Sequence, residues 1–226
     1  MTDYVLVHGA WMGGYAYDDL AAALHRAGHR AQVVALRGLG TRRDELHPGI
    51  TLSDHVDDVC AAVTQAGFDR FVLVGHSYGG MVITGAATRL GARIDAIVYL
   101  DAFLPGDKQS LWDITGEFEH RHYIDTQKFT PGLVAPIIDN VPRLTRHPLL
   151  TLLEAVRFTG EEAKIARHIY VLATGWGPSP FPIFASRVKT DPAWEYREAD
   201  CGHDVMNGQR ELVLAILLDA GRRSPA

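Results

Sequence analysis

Six stretches of four to seven residues, most of them apolar, divide the chain, and glycine-stopped stretches with helical spacing lie between them. Tyr4-Val5-Leu6-Val7-His8 is ended by Gly9, and Ala31 to Leu36 is broken by Gly38 and Gly40. Phe71-Val72-Leu73-Val74 runs into Gly75, Ile94 to Leu100 into Asp101, and His168 to Ala173 and Trp194 to Ala199 complete the set. Continuous apolar runs, as opposed to alternating ones, are the pattern of strands buried on both faces. Asp18 to Ala27 spaces Leu20, Ala23, Leu24 and Ala27 along one helical face, with Gly28 as its stop. Further helices are expected over Leu52–Ala66 with Ser53 as the amino-terminal cap, Met81–Leu90, Leu149–Phe158, Phe181–Val188 and Met206–Ala220. Strand and helix in regular alternation specify an α/β fold, a six-stranded, mostly parallel, doubly wound sheet. The first strand is expected between the second and third.

The alternation lapses between Pro105 and Pro148, too long a stretch for a loop without structure of its own. A small lid over the carboxyl edge of the sheet is expected there, with Trp112, Phe118, Tyr123 and Phe129 helping to line a pocket. No linker or repeat divides the 226 residues, which fit one domain from 1 to 226 with a lid at about 105–148. Arg222 to Ala226 is expected to fray.

Composition narrows the partners. Apolar residues make up 47% and charged residues 22%, and the balance of 22 basic against 27 acidic groups gives a net charge of −5. With no basic run longer than an arginine pair, neither nucleic acid nor an anionic membrane is expected as a partner. No segment has the roughly 20 consecutive apolar residues of a membrane span. A strand within the first few residues leaves no room for a leader, so a cytoplasmic location is expected. Cys60 and Cys201 form neither a disulfide framework nor a metal spacing. His120 and His122 sit near Glu117 and Glu119 but lack a third ligand at a recognisable spacing, so no metal or cofactor is expected. The partner expected is a small-molecule substrate, and the sequence favours neither a monomer nor a homodimer.

The chemistry concentrates after the third strand. Gly75-His76-Ser77-Tyr78-Gly79-Gly80, between a buried strand and a helix starting at Met81, has the form of a Gly-x-Ser-x-Gly nucleophile elbow. Such a turn holds its serine in a sparsely populated backbone conformation with the hydroxyl at the carboxyl edge of the sheet. A serine hydroxyl needs a base, and the base needs an orienting partner. His203, in Asp200-Cys201-Gly202-His203-Asp204 after the sixth strand, is the histidine best placed for this. His8 and His76 belong to the two turns themselves, and His25, His29, His47 and His55 are expected in helices or loops away from the strand ends. The backbone amides of Ala10 and Tyr78 are the candidates for an oxyanion hole.

His8-Gly9-Ala10-Trp11, the elbow and Gly202-His203 together resemble the α/β-hydrolase superfamily. Leu6 to Trp11, Gly38-Leu39-Gly40-Thr41-Arg42 and Tyr99 to Pro105 are similar to its branch of small esterases related to plant methylesterases and hydroxynitrile lyases. The resemblance implies Ser77 as nucleophile, His203 as general base and then acid, and Ala10 and Tyr78 as the oxyanion pair. That branch usually carries its triad aspartate directly after the fifth strand. Here Thr174-Gly175-Trp176-Gly177-Pro178 follows, with no carboxylate. Asp101 at the end of the fourth strand is the best substitute, since some superfamily members place the acid there. A serine-histidine dyad is the remaining option, and Asp204 is poorly placed to reach the far nitrogen of the imidazole.

The lyases of the branch usually have threonine at the position of Gly9 and lysine after the catalytic histidine, where this chain has Asp204. Both differences favour hydrolysis. The expected activity is cleavage of a small or medium apolar carboxylic ester, a lactone or a thioester through an acyl-enzyme, with Trp11, Trp112 and Trp176 as pocket residues. A lyase or cyclase with His203 as proton shuttle and a non-catalytic ligand-binding homologue are the alternatives.

Overall fold

The computed structural model describes residues 1–138, 141 and 143–222. Of the segment expected to fray, Arg222 donates its amide to the Asp219 carbonyl at 2.9 Å, and residues 223–226 lie outside the described residues. Strand β1 (Asp3–Val7) leads through helix α1 (Asp18–Arg26) to β2 (Arg30–Val33), and α2 (Leu52–Gln65) leads to β3 (Phe71–Ser77). Helix α3 (Gly79–Leu90) returns to β4 (Ile94–Ala102). An insertion follows, with α4 (Glu117–Thr126), the two-residue strands β5 (Leu133–Val134) and β6 (His147–Pro148), and α5 (Leu150–Leu153). Strand β7 (Arg167–Ala173), α6 (Pro182–Lys189), β8 (Trp194–Ala199), α7 (Val205–Gly208) and α8 (Arg210–Ala220) complete the chain.

The main sheet runs β2-β1-β3-β4-β7-β8, and every neighbouring pair is parallel. The first strand does lie between the second and third, so the strand order reverses between β1 and β3. In such a sheet the crevice outside the strand carboxyl ends falls at that reversal. Side chains alternate between two cores. Val5, Leu73, Ile97 and Tyr99 face Val56, Val59 and Phe184 from α2 and α6, while Leu6, Val72, Val74 and Val98 face Leu20, Leu24, Val213 and Leu217 from α1 and α8. Burying each such side chain fully contributes about 1.5–3 kcal/mol, which is why the central strands β1, β3, β4 and β7 read as largely apolar runs, while the edge strands β2 and β8 carry polar residues.

Three local expectations change, each for an identifiable reason. Thr51, not Ser53, caps α2, because Thr51 and Asp54 form a reciprocal capping box. Ser53 is engaged by the insertion, its amide and hydroxyl donating to the Glu154 carboxylate at 2.8 and 2.6 Å. That contact also ends α5 at Leu153, far short of Phe158: Glu154 turns extended, and Val156 then pairs with the backbone of Gln109 and Lys108. The closing helix is broken at Gln209, which leaves helical geometry next to Gly208. The Gln209 side chain donates to the Asp200 carbonyl at 3.1 Å, fixing the loop that carries His203.

The elbow depends on close backbone approach. A Cβ on Gly75 would lie 2.7 Å from the Gly79 carbonyl oxygen, one on Gly79 2.6 Å from that of Val7, and one on Gly80 2.0 Å from that of Phe103. Gly80→Ala must therefore push α3 away from the end of β4. Overpacking of this kind costs about 1–3 kcal/mol or more, so the urea midpoint of Gly80→Ala is expected to fall well below that of the native protein. An unchanged midpoint would mean that the two backbones do not meet.

Candidate active site

Ser77 ends β3 with φ 54°, in the left-handed region that an ordinary residue occupies only under constraint. Its carbonyl accepts from the Phe103 amide at 3.1 Å, which ties the elbow to the end of β4. The turn after β1 lies against it, since a Cβ built on Gly9 would sit 3.0 Å from the Ser77 Cβ. The amides of Ala10 and Tyr78 donate to no backbone or side-chain acceptor among the described residues. Among the described residues, the turns on either side of the serine thus each carry an amide without an acceptor. The Ser77 hydroxyl itself makes no hydrogen bond among the described residues.

Asp101 also has a left-handed backbone, with φ 42°. The β3–β4 register explains it. His76 pairs with Leu100 and Ser77 with Ala102, leaving Asp101 as an extra residue in a β-bulge. Tyr99 and Ala102, three residues apart, consequently share one core. The Asp101 side chain has no exposed surface, and its Oδ2 accepts from His203 Nδ1 at 2.7 Å. The carboxylate that meets His203 thus comes from the end of β4. His203 is held from a second direction by its backbone, whose carbonyl accepts from His76 Nε2 at 2.9 Å.

The pattern of the Alpha/beta hydrolase family matches residues 4–216. The chain belongs to that family. It is 37% identical over 227 residues to the carbendazim hydrolyzing esterase of Nocardioides sp. (strain SG-4G), covering 91% of this chain and 94% of that one. Salicylic acid-binding protein 2 of Nicotiana tabacum is 31% identical over 129 residues, covering 55% of this chain and 50% of that one. Among solved structures, an extracellular alpha/beta-hydrolase from a Paenibacillus species superposes with a TM-score of 0.83 at 20% identity, covering 99% of this chain and 100% of that one. Tomato Methylketone Synthase I superposes with a TM-score of 0.77 at 18% identity, covering 96% of each chain. These two establish the shared fold. Several of the sequence relatives are named esterases, and this chain is a carboxylic ester hydrolase.

The hydrolase backs its elbow with histidines. His55, expected far from the strand ends, is fully buried beside Tyr78. Its Nε2 donates to the Arg37 carbonyl at 3.0 Å, so its Nδ1 is left to accept from the Tyr78 hydroxyl at 2.9 Å. Arg37 in turn is clamped by Asp58. Burial alone would raise the Asp58 carboxyl, but hydrogen bonds from Arg37 and Arg42 hold it below the usual range. His147, to which the sequence gives no signal, packs edge-on against the Tyr78 ring at 4.6 Å. Thr151 donates to Pro148, so His147 Nε2 donates to the Thr151 hydroxyl at 2.7 Å, and its Nδ1 accepts from the Trp11 amide at 3.4 Å.

The three tryptophans expected in the pocket part company. Trp11, at φ 61°, fastens the insertion to the β1 turn: its indole donates to Val134 at 3.1 Å and its carbonyl accepts from Thr145 at 2.9 Å. Trp112 lines an apolar cavity of about 310 Å³ with Tyr123, Ile124, Gln127, Leu149 and Leu153. Trp176 donates its indole N–H to Asp101 Oδ2 at 3.0 Å, so it serves the carboxylate. Phe118 and Phe129, expected to line a pocket, are instead 69% and 81% exposed. The rings of His120 and His122 bond carbonyls of the insertion, those of Trp112 and Ala135, both at 2.7 Å.

Burial lowers the His8 and His55 imidazoles from 6.5 to about 4, and it holds His76 and His147 well below their ordinary value. Below pH 6.5 the unfolded chain binds protons that the folded chain refuses until about pH 4. The stability is therefore complete above pH 6.5 and is lost as the pH falls toward 4, by up to about 3 kcal/mol each for His8 and His55. Urea unfolding is expected to show a clearly lower midpoint at pH 5 than at pH 7.5. Equal midpoints would mean that these rings are protonated in the fold.

Proposed function

We propose that the enzyme is a serine hydrolase that cleaves a small or medium apolar carboxylic ester through an acyl-enzyme. The observation that carries this reading is the 2.7 Å bond between buried Asp101 and His203, beside a left-handed Ser77 whose neighbouring Ala10 and Tyr78 amides find no acceptor among the described residues. In the proposed reaction the Ser77 hydroxyl attacks the ester carbonyl and its proton passes to His203 Nε2. The negative charge that develops on the carbonyl oxygen is taken by the Ala10 and Tyr78 amides, an interaction that typically stabilises the transition state by about 3–4 kcal/mol per donor. Asp101 stabilises the imidazolium formed, and His203 returns the proton to the departing alcohol. Water, activated by the same imidazole, then hydrolyses the acyl-enzyme. No cofactor is needed for these steps.

A lactone or thioester would undergo the same steps. Carbendazim, for which the Nocardioides relative is named, is the first compound to try after simple p-nitrophenyl esters.

Intact-protein mass after incubation with a fluorophosphonate is expected to show a single adduct on the native protein and none on Ser77→Ala. With p-nitrophenyl butyrate, Ser77→Ala is expected to lose essentially all activity and Asp101→Asn on the order of 10³-fold or more in kcat, as for other orienting aspartates. Asp101→Asn at native activity would remove Asp101 from the mechanism. Turnover that survives Ser77→Ala but not His203→Ala would replace the acyl-enzyme with proton shuttling by His203.

A further inference from the structure

Asp101 Oδ1 accepts from the Ala173 amide at 3.1 Å, while Oδ2 accepts from both Trp176 Nε1 at 3.0 Å and His203 Nδ1 at 2.7 Å. No lysine or arginine reaches this carboxylate among the described residues. A buried carboxylate without donors is strongly disfavoured, and here the neutral donors number two. One of them, the Ala173 amide, is fixed by β7. The other is a side chain on the very oxygen that faces His203.

We infer that Trp176 is a positioning residue of the proposed serine-hydrolase site: its indole N–H holds Asp101 Oδ2 in the orientation that receives His203 Nδ1. This inference rests on the reading of Asp101 and His203 given above. The backbone around Trp176 is built for the task. Gly175 donates to the Cys201 carbonyl at 2.9 Å, and a Cβ on Gly175 would lie 2.8 Å from that oxygen. The loops carrying the donor and His203 are therefore in direct backbone contact. The indole also packs against the imidazole, with ring centroids 4.9 Å apart, and Phe181 stacks on that imidazole at 5.0 Å with ring planes 12° apart. Asp101 is thus approached by the indole and the imidazole at one oxygen while the two rings touch each other. Loss of the indole N–H would leave Oδ2 free to rotate away from Nδ1 and would weaken the base.

Fluorophosphonate labelling kinetics test this without a known substrate, because they separate the covalent step (kinact) from reversible binding (KI). Trp176→Phe keeps a ring and removes the donor, so kinact is expected to fall about tenfold with KI within about twofold of native, the loss set by one hydrogen bond to a charged group. Trp176→His returns a donor at the matching ring position, since Nε2 of a five-membered ring overlies the indole Nε1. It is expected to recover kinact to within about threefold of native at mildly alkaline pH. In the NMR spectrum the downfield His203 Nδ1 proton should shift in Trp176→Phe and return in Trp176→His. The inference is overturned if both variants label at the native rate, or if both lose alike through KI with the Nδ1 proton unmoved, as a mere pocket wall would. Native protein that does not label at all overturns this inference together with the reading beneath it.

Discussion

A carboxylate with no exposed surface persists only where the fold supplies donors to its oxygens. Asp101 draws its donors from three segments of chain: the end of β7, the loop after it and the loop after β8. Because β4 lies between β3 and β7 in the sheet, the same residue stands next to the elbow and next to two of those donors. The geometry of the candidate site follows from this one requirement. The β-bulge that frees Asp101 from the strand alternation, the pairing of Ser77 with Ala102 just beyond it and the contact of Gly175 with Cys201 all bring donors to one buried anion.

A second set of constraints supports the other side of the elbow. Tyr78, whose amide is one of the two free donors, has its ring fixed by His55 from α2 and by His147 from the insertion. Trp11, which follows Ala10, bonds both Val134 and His147, residues paired across the β5–β6 ribbon. The two amides that flank Ser77 are thus each adjacent to a residue anchored in the insertion. Left-handed backbone at Trp11, Ser77 and Asp101 marks the three places where the sheet edge departs from regular geometry, and strain of this kind gathers at functional sites.

Much of this was legible in the sequence. The apolar runs mark the central strands and their alternation with helices, because strands covered on both faces must be apolar throughout, while the edge strands β2 and β8 carry polar residues. The elbow could be recognised because glycine is required at Gly75, Gly79 and Gly80 for backbone contact. Asp101 could be singled out only by its place at the end of a strand and by the lack of a carboxylate after β7. The bulge that turns its side chain is a property of β3–β4 pairing and has no local sequence signal. Trp176 was read as a pocket residue because an indole after a strand is apolar on its face, whereas its N–H is what the fold uses. His55 and His147 were missed because a neutral buried histidine is chosen by partners distant in sequence: Tyr78 lies 23 residues from His55, and Trp11 lies 136 from His147. The short α5 and the broken final helix were likewise set by Glu154 and Gln209 reaching across to other segments.

In the proposed mechanism Ser77, His203 and Asp101 act on a carbonyl whose oxygen lies between the Ala10 and Tyr78 amides. A crystal structure of the fluorophosphonate-treated protein tests it most directly. Phosphorus is expected on Ser77 Oγ, with a phosphoryl oxygen within hydrogen-bond distance of both amides and His203 Nδ1 still on Asp101 Oδ2. Phosphorus on another residue, a phosphoryl oxygen turned away from the two amides, or His203 paired with a different carboxylate would contradict it.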